Sequence, residues 1–473
     1  MMFVGRSREM RSLRRTLGRV RAGVGSPTPG LCLIVRGRRR VGKSRLLEEF
    51  CAQEKVASLF FTASRQGSRE LGFFLDEVAL SNLPGRDHVA DTQPTTWDAA
   101  LRLLASALDD ETPTVVVIDE FPYLVDDDPT IEATFQKQWD RLLSRKPVLL
   151  VLVGSDLAMM EALNTHERAF FQRGTEMVVP PLSPTETAAI VGSASAADAF
   201  DAHLITGGLP LICNEWDQSV PMWDYLQDAL QEPTSALIVS GERVLAAEFP
   251  TETQARAVLG QIGHGEVSYS KIARAAGGIQ AAALSRALDL LITKRMVVRD
   301  TPLSTATSKE ARYSIADPYL RFWLKFIGPG LAEIERGRGD RVLARLHRDW
   351  VTWRGKAIEP VIREALMRIS PIDGLSPAAS VGGFWTRTNV PEIDIIGADR
   401  APVADTVVYA GTIKWLENAS LDQADLNQLI HDVVKVPGAT AATPLVAVSR
   451  SGVTARGAVN LGPDDLLAAW PTD

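Results

Sequence analysis

Cysteine is scarce in this chain, and membrane-length apolar runs are missing. Three cysteines occur in 473 residues: Cys32, Cys51 and Cys213. Their wide spacing gives neither a disulfide framework nor a metal-ligand pattern, and it suits a reducing cytoplasm, which is the expected location. No apolar run approaches the ~18 residues that a membrane helix needs. The opening MMFVGRSREMRSLRR has no apolar signal core, so a membrane partner is not expected. Positive charge is in deficit, with a net charge of −7. That excludes a polycation built to coat nucleic acid, and any DNA contact has to come from a local patch. Internal repeats and low-complexity tracts are also lacking. The length suits about three domains.

Against this background one stretch stands out, GRRRVGKS at 37–44. Two glycines five apart, then Lys and Ser, make the P-loop pattern. The apolar run LCLIV at 31–35 reads as a buried strand, and RLLEEF at 45–50 reads as the start of a helix. Strand, glycine loop and helix together are the context that the motif needs. Backbone N–H groups and the positive end of the helix hold phosphates. The candidate cradle is therefore Gly37, Arg38, Arg39, Arg40, Val41, Gly42, Lys43 and Ser44. Gly37 and Gly42 let the backbone approach the phosphates closely. Lys43 would reach the β- and γ-phosphates, and the Ser44 hydroxyl would hold Mg²⁺.

TVVVIDE at 114–120 reads as a fully buried parallel strand with two carboxylates at its C-terminal end, where α/β sheets place their sites. Asp119 is the second candidate Mg²⁺ residue. Glu120 is the candidate base that orients the attacking water. A further buried strand at 148–154 ends in Ser155 and Asp156.

The pieces FVGR, GRRRVGKS, VVVIDEFPYL, LVGSDLAMM and TGGLPL resemble the archaeal-type P-loop ATPases, a family near the AAA+ and STAND classes. The resemblance covers residues 1 to about 235. It implies ATP and Mg²⁺ as cofactors, and Gly5 and Arg6 as part of a box that helps to cradle the adenine. It offers Ser155 as a sensor of the γ-phosphate, with plain helix capping as the alternative. Of Arg168 and Arg173, it favours Arg173 as an arginine finger, which in trans would require a homo-oligomer. A salt-bridged arginine is the other reading. The ATPase core is expected over 1–182 and a helical lid over 183–238, with Gly207, Gly208 and Pro210 forming either a turn near the nucleotide or a helix stop.

From 239 to 327 the pattern changes to short helices at 251–263, 268–276 (capped by Ser268) and 281–294, with a turn at Gly277 and Gly278. Two strands follow at 296–298 and 312–315. This resembles a winged helix-turn-helix. Its third helix offers only Gln280, Ser285 and Arg286 as early polar side chains, so DNA contact and a purely structural wing both stand. Residues 328–341 read as a charged, glycine-bearing hinge. Over 342–473 a helix at 350–369 and the strand stretches VGGFW, EIDII and YAGTIKW resemble the C-terminal domain that follows many of these ATPases. They also resemble a nuclease-like fold of the PD-(D/E)XK class. Glu359, Asp394 and Lys414 match three places of that pattern. Thr412 takes a fourth, which wants a carboxylate to hold Mg²⁺, so an impaired site is expected.

The expected fold is α/β: a P-loop NTPase parallel sheet with a helical lid, then a winged helix, then an α/β restriction-endonuclease-like domain. The expected activity is Mg²⁺-dependent ATP hydrolysis coupled to domain rearrangement, directed by DNA in genome maintenance or defence. The alternative is a slow, nucleotide-loaded switch whose output is association with a protein partner.

Overall fold

The computed structural model describes residues 3–471 except 90, 91, 167, 169, 250–252, 264, 266 and 278. The chain forms two compact units, residues 1–181 and 182–472.

The first unit opens with α1 (Ser7–Ala22), whose Met10, Leu13, Leu17 and Val20 are buried. Then come β1 (Leu31–Arg36), α2 (Lys43–Glu54), β2 (Ala57–Thr62), α3 (Glu70–Leu80), α4 (Trp97–Ala107) and β3 (Thr114–Asp119). The unit continues with α5 (Phe121–Asp127), α6 (Ile131–Arg141), β4 (Val148–Gly154), α7 (Leu157–Ala162) and β5 (Gly174–Val178). The five strands form one sheet in the order β2-β3-β4-β1-β5. Every pairing is parallel. Helices on both faces bury such a sheet, which explains the unbroken apolar runs of β3 and β4; every residue of these two strands is buried. The order places β1 between β4 and β5, so the loop after β1 leaves from inside the sheet and beside the end of β4.

The second unit begins with α8 (Pro184–Val191), entered through a capping box of Ser183 and Glu186. Next are α9 (Ala196–Thr206), α10 (Pro210–Glu215), α11 (Met222–Gln231) and α12 (Ala236–Glu248). Gly207 ends α9 in the left-handed region at φ 59°, and Pro210 starts α10. These residues act as a helix stop and start, the second of the two sequence readings. Packing demands the glycines as well, since a Cβ on Gly208 would lie 2.1 Å from the Leu182 carbonyl oxygen.

α13 (Thr253–Ile262), β6 (Val267–Ser268), α14 (Tyr269–Ala275), α15 (Ala281–Thr293), β7 (Val297–Asp300) and β8 (Arg312–Ile315) follow. Their three strands are antiparallel in the order β6-β8-β7, the layout of a helical triplet with a wing. The expected helix start at Thr251 and the glycine turn at Gly278 lie outside the described residues. Ser268 stands at the N-cap of α14 without a side-chain cap, which corrects the expected capping role.

α16 (Pro318–Phe322) continues as a π-helical turn, Trp323–Ile327. It packs Phe322 and Phe326 against Trp353. The expected hinge at 328–341 is helical instead: a 3-10 turn, Gly328–Gly330, then α17 (Leu331–Ile334), then the start of α18 (Gly339–Ala357). Gly339 permits close approach, for a Cβ on it would lie 2.0 Å from the Leu230 carbonyl oxygen, while Gly337 turns the chain between α17 and α18 at φ 72°. The expected single helix over 350–369 is two, α18 and α19 (Glu359–Arg368), and Pro360 sits in the first turn of the second.

The chain closes with β9 (Ser380–Trp385), β10 (Glu392–Ala398), β11 (Val407–Lys414), α20 (Gln423–Val433), β12 (Leu445–Ser449), β13 (Val459–Leu461) and α21 (Pro463–Leu467). The sheet order is β13-β12-β11-β10-β9. β9, β10 and β11 pair antiparallel, while β11, β12 and β13 pair parallel.

A buried ion network ties α9 and α18 to this sheet. Arg354, fully buried, donates to Asp201 at 3.0 Å and to Glu417 at 2.7 Å. Arg450 reaches both oxygens of Asp201, at 3.2 and 2.9 Å. Among the described residues no helix is long and apolar enough to cross a membrane.

Candidate active site

The loop between β1 and α2 closes on itself. Lys43 donates to the carbonyls of Gly37 at 2.9 Å and Arg38 at 3.1 Å. Gly42 turns at φ 86° directly into α2, and Arg40 also takes a positive φ of 67°. Gly37 cannot be replaced without a shift, because a Cβ there would lie 2.4 Å from the Val179 carbonyl oxygen. Val41 is fully buried. Its carbonyl accepts from Arg6 Nη2 at 2.7 Å. Gly5 and Arg6 are both left-handed, at φ 80° and 63°, so the FVGR segment is bent onto the phosphate loop rather than opening α1 as a simple helix start.

The other wall of the site is the end of β3. Ser44 Oγ donates to Asp119 Oδ2 at 2.5 Å. The other oxygen, Oδ1, accepts from the Glu120 amide at 2.9 Å. Glu120 sits at φ 52°, ψ 41°, a conformation that costs a non-glycine residue about 1–3 kcal/mol and concentrates at functional sites. Its carboxylate accepts from Ser155 Oγ at 3.0 and 3.3 Å. The capping alternative for Ser155 falls, because Asp156 caps α7 by accepting from the Met159 amide. A serine hydroxyl beside a carboxylate is the hard oxygen donor pair that Mg²⁺ takes. Lys43, Ser44, Asp119, Glu120 and Ser155 are therefore brought into one place, and the partners of the four acidic oxygens of Asp119 and Glu120 are two hydroxyls and an amide, not cations.

Both arginine candidates are ion-paired within this unit. Arg173 donates from Nε to Asp140 at 2.8 Å and from Nη1 to the Phe171 carbonyl at 3.2 Å. The Asp140 bond raises its pKa further. Arg168 bridges to Glu132 at 3.1 and 2.5 Å. One participant was missed in the sequence. Tyr123, on the turn after Glu120, accepts from Arg39 at 2.9 Å and carries the Arg65 guanidinium 4.2 Å above its ring. The only sequence signal for it was an aromatic residue three positions after a catalytic-type acid.

The second cluster of expected residues lies on α19, β10 and β11. Asp394 Oδ2 accepts from Thr412 Oγ1 at 3.1 Å and from the Ile413 amide at 2.9 Å. Glu359 is buried and holds Lys356 at 2.9 Å and Arg363 at 3.1 Å. Arg363 also donates to the Asp394 carbonyl at 2.9 Å. Glu392 takes Arg312 at 3.0 Å and Lys356 at 3.7 Å. Burial alone would lower the Lys356 pKa, but Glu359, Asp394 and Glu392 together drive it well above its ordinary value. Lys414 turns away to Asp425 at 2.6 Å. Two carboxylates, Glu359 and Glu392, are thus ion-paired to Lys356, Arg363 and Arg312, while the Asp394 carboxylate is held by a hydroxyl and an amide.

Residues 323–428 match the family model DUF234, described as archaeal and bacterial proteins of unknown function. The chain is 24% identical over 445 residues to the uncharacterised protein MJECL04 of Methanocaldococcus jannaschii, covering 92% of this chain and 91% of that one. Among solved structures it is similar to the Walker-type ATPase PABY2304 of Pyrococcus abyssi (TM-score 0.45, 19% identity, 68% of this chain and 96% of the other). It is also similar to the Aeropyrum pernix ORC2 protein (TM-score 0.45, 13% identity, 73% and 96%). The fold reading rests on the strand order and the loop geometry given above. The chain joins a parallel α/β sheet with a P-loop-type turn after β1 to a segment that matches DUF234.

Proposed function

We propose that the first unit binds ATP with Mg²⁺ and hydrolyses it to ADP and phosphate. The observation behind this is the junction at the end of β3: Ser44 on Asp119, and Glu120 held in a strained turn beside them. Lys43 would leave the Gly37 and Arg38 carbonyls for the β- and γ-phosphates. Ser44 and Asp119 would hold Mg²⁺, which neutralises charge on the phosphates when bound. Glu120 would take the attacking water as base, and Ser155 would position that carboxylate. Arg6, anchored on Val41, would set one wall of the loop next to Gly5. Arg173 as a finger in trans would first have to leave Asp140. We read the chain as an ATPase core over 1–182, a lid over 183–238, a winged helix over 239–327 and a nuclease-like module over 342–473.

Hydrolysis would drive a change in how these parts dock, with duplex or single-stranded DNA as the directing partner. A second reading, a slow nucleotide-loaded switch, draws on the Ser155 contact, because a glutamate held by a hydroxyl is not free to take water. One experiment addresses both readings: phosphate release with Mg²⁺-ATP, with and without each form of DNA, alongside the nucleotide content of the purified protein. DNA-stimulated turnover, abolished by Lys43→Ala, is expected. Tightly held ADP without any DNA effect would favour the switch. No nucleotide binding at all would overturn both.

A further inference from the structure

Helix α1 carries six arginines and one acid, Glu9, in a chain whose net charge is −7. Their placement is not random. At 100° per residue, Arg8, Arg11, Arg15 and Arg19 fall within one narrow arc, opposite the buried Met10, Leu13, Leu17 and Val20. All four are exposed. The stripe runs about 16 Å along the helix, at the rise of 1.5 Å per residue. Arg14 and Arg21 lie to one side and are taken by Glu54, at 3.0 and 2.9 Å. Glu54 on α2 is therefore already neutralised.

We propose that this face of α1 binds the phosphate backbone of duplex DNA. Guanidinium groups suit phosphate oxygens through their paired N–H donors. The residues that flank this arc on either side include Ser12 and Gly18, small enough for a polyanion to come close. A protein interface centres instead on buried aromatic or aliphatic anchors, and this arc carries none. An anionic membrane is the poorer fit, because the apolar face that would enter it is packed inside the unit. The helix is also not a loose arm, since Arg6 at its cap is fastened to Val41 in the phosphate loop. By contrast, the open face of α15 presents Ala281, Ala282, Ser285, Arg286 and Asp289, one positive charge against one negative. The wing's helix has no comparable electrostatic footprint. The inference takes its partner class from the DNA-directed reading but does not depend on ATP turnover.

The test is duplex binding by the full chain, measured by fluorescence anisotropy with a random-sequence duplex over a range of salt concentrations. The variant combines Arg8→Gln, Arg11→Gln, Arg15→Gln and Arg19→Gln. Each phosphate contact contributes about 0.9 to the slope of log K against log salt, so the variant's slope should be shallower by about 3 to 4. The control is Arg14→Gln with Arg21→Gln, which should leave the slope nearly unchanged. An unchanged slope in the fourfold variant, with the wild type still binding DNA, would overturn the assignment to α1 and leave the DNA reading standing. Failure of the wild type to bind any duplex at low salt would overturn both. Loss of binding to phosphatidylserine vesicles or polyglutamate, with DNA binding intact, would show that the stripe serves a different partner and would also overturn the proposal.

Discussion

The acids at the end of β3 and the two glutamates of the C-terminal cluster, Glu359 and Glu392, have the same chemistry and opposite company; Asp394 beside them keeps a hydroxyl and an amide, as Asp119 does. Asp119 and Glu120 are met by the hydroxyls of Ser44 and Ser155 and by a backbone amide. Those partners orient a carboxylate without cancelling its charge, so the charge remains for a cation and a water. Glu359 and Glu392 are met by Lys356, Arg363 and Arg312. Those partners do cancel it. Two acidic clusters that look alike as rows of letters thus differ in the sign of what surrounds them. The first carries backbone strain at Glu120 and uncancelled charge, as the proposed chemistry needs, and the second is ion-paired.

The sharpest test of this contrast is Glu120→Gln. Turnover should fall by about 10²–10⁴, the usual contribution of a positioned base, with ATP binding retained. Melting temperature should hold or rise, since nothing cationic loses a partner. Steady-state hydrolysis at the normal rate would end the role given to Glu120. The mirror experiment is Glu359→Gln. It takes one partner from Arg363 and one from Lys356, and we expect about 2–3 kcal/mol of lost stability by denaturant titration, below a fully buried pair because Lys356 is exposed and both cations keep a second partner. ATP turnover should change far less than with Glu120→Gln. If Glu359→Gln proved neutral in stability, its ion pairs would not be the reason for its presence.

A third effect, smaller again, belongs to the second unit. Burial lowers the His203 pKa to about 4 from 6.5, with Asp317 acting in the opposite direction. The unfolded chain therefore takes up a proton below pH 6.5 that the folded chain refuses until about pH 4. Stability from this site is full above that window and lost as pH falls through it. Between pH 7 and pH 5 the loss should be roughly 1–2 kcal/mol, and His203→Leu should flatten it in melts at the two pH values. The smallest expected effect is on DNA cleavage. With Lys356 and Arg363 on Glu359, neither the wild type nor Thr412→Glu should cut plasmid with Mg²⁺ or Mn²⁺ above background. Robust cutting by the wild type, lost in Asp394→Ala, would show that β10 holds a working centre and would collapse the comparison.

What could be read in the sequence follows the same division. The loop after β1 was legible because the phosphate binding proposed for it needs consecutive residues, and strand, loop and helix adjoin in the chain. The acids of the C-terminal sheet were legible as positions. Their neutralisation was not, because Arg312 meets Glu392 across 80 residues and no spacing rule reports a partner that distant. Ser155 was ambiguous for a local reason: Asp156, its neighbour, is equally good as a cap, and only the geometry shows which residue caps. The glycines at 328–341 read as a hinge because glycine frees the backbone. It also allows contact at backbone distance, and at Gly339 the second use prevails. The arginines of α1 were visible as letters but gained meaning only when the helix fixed which of them share a face.

Asp201 has one further implication. It belongs to the segment we read as a lid, yet both of its guanidinium partners, Arg354 and Arg450, belong to the C-terminal part of the chain. Its neighbour Phe200 packs against Trp415 and Trp470. Cutting the gene before residue 342 to obtain a minimal ATPase would leave a buried carboxylate with neither partner and an uncovered aromatic ring. For truncation and for domain exchange, the two segments form a single part, although 153 residues separate Asp201 from Arg354 along the chain.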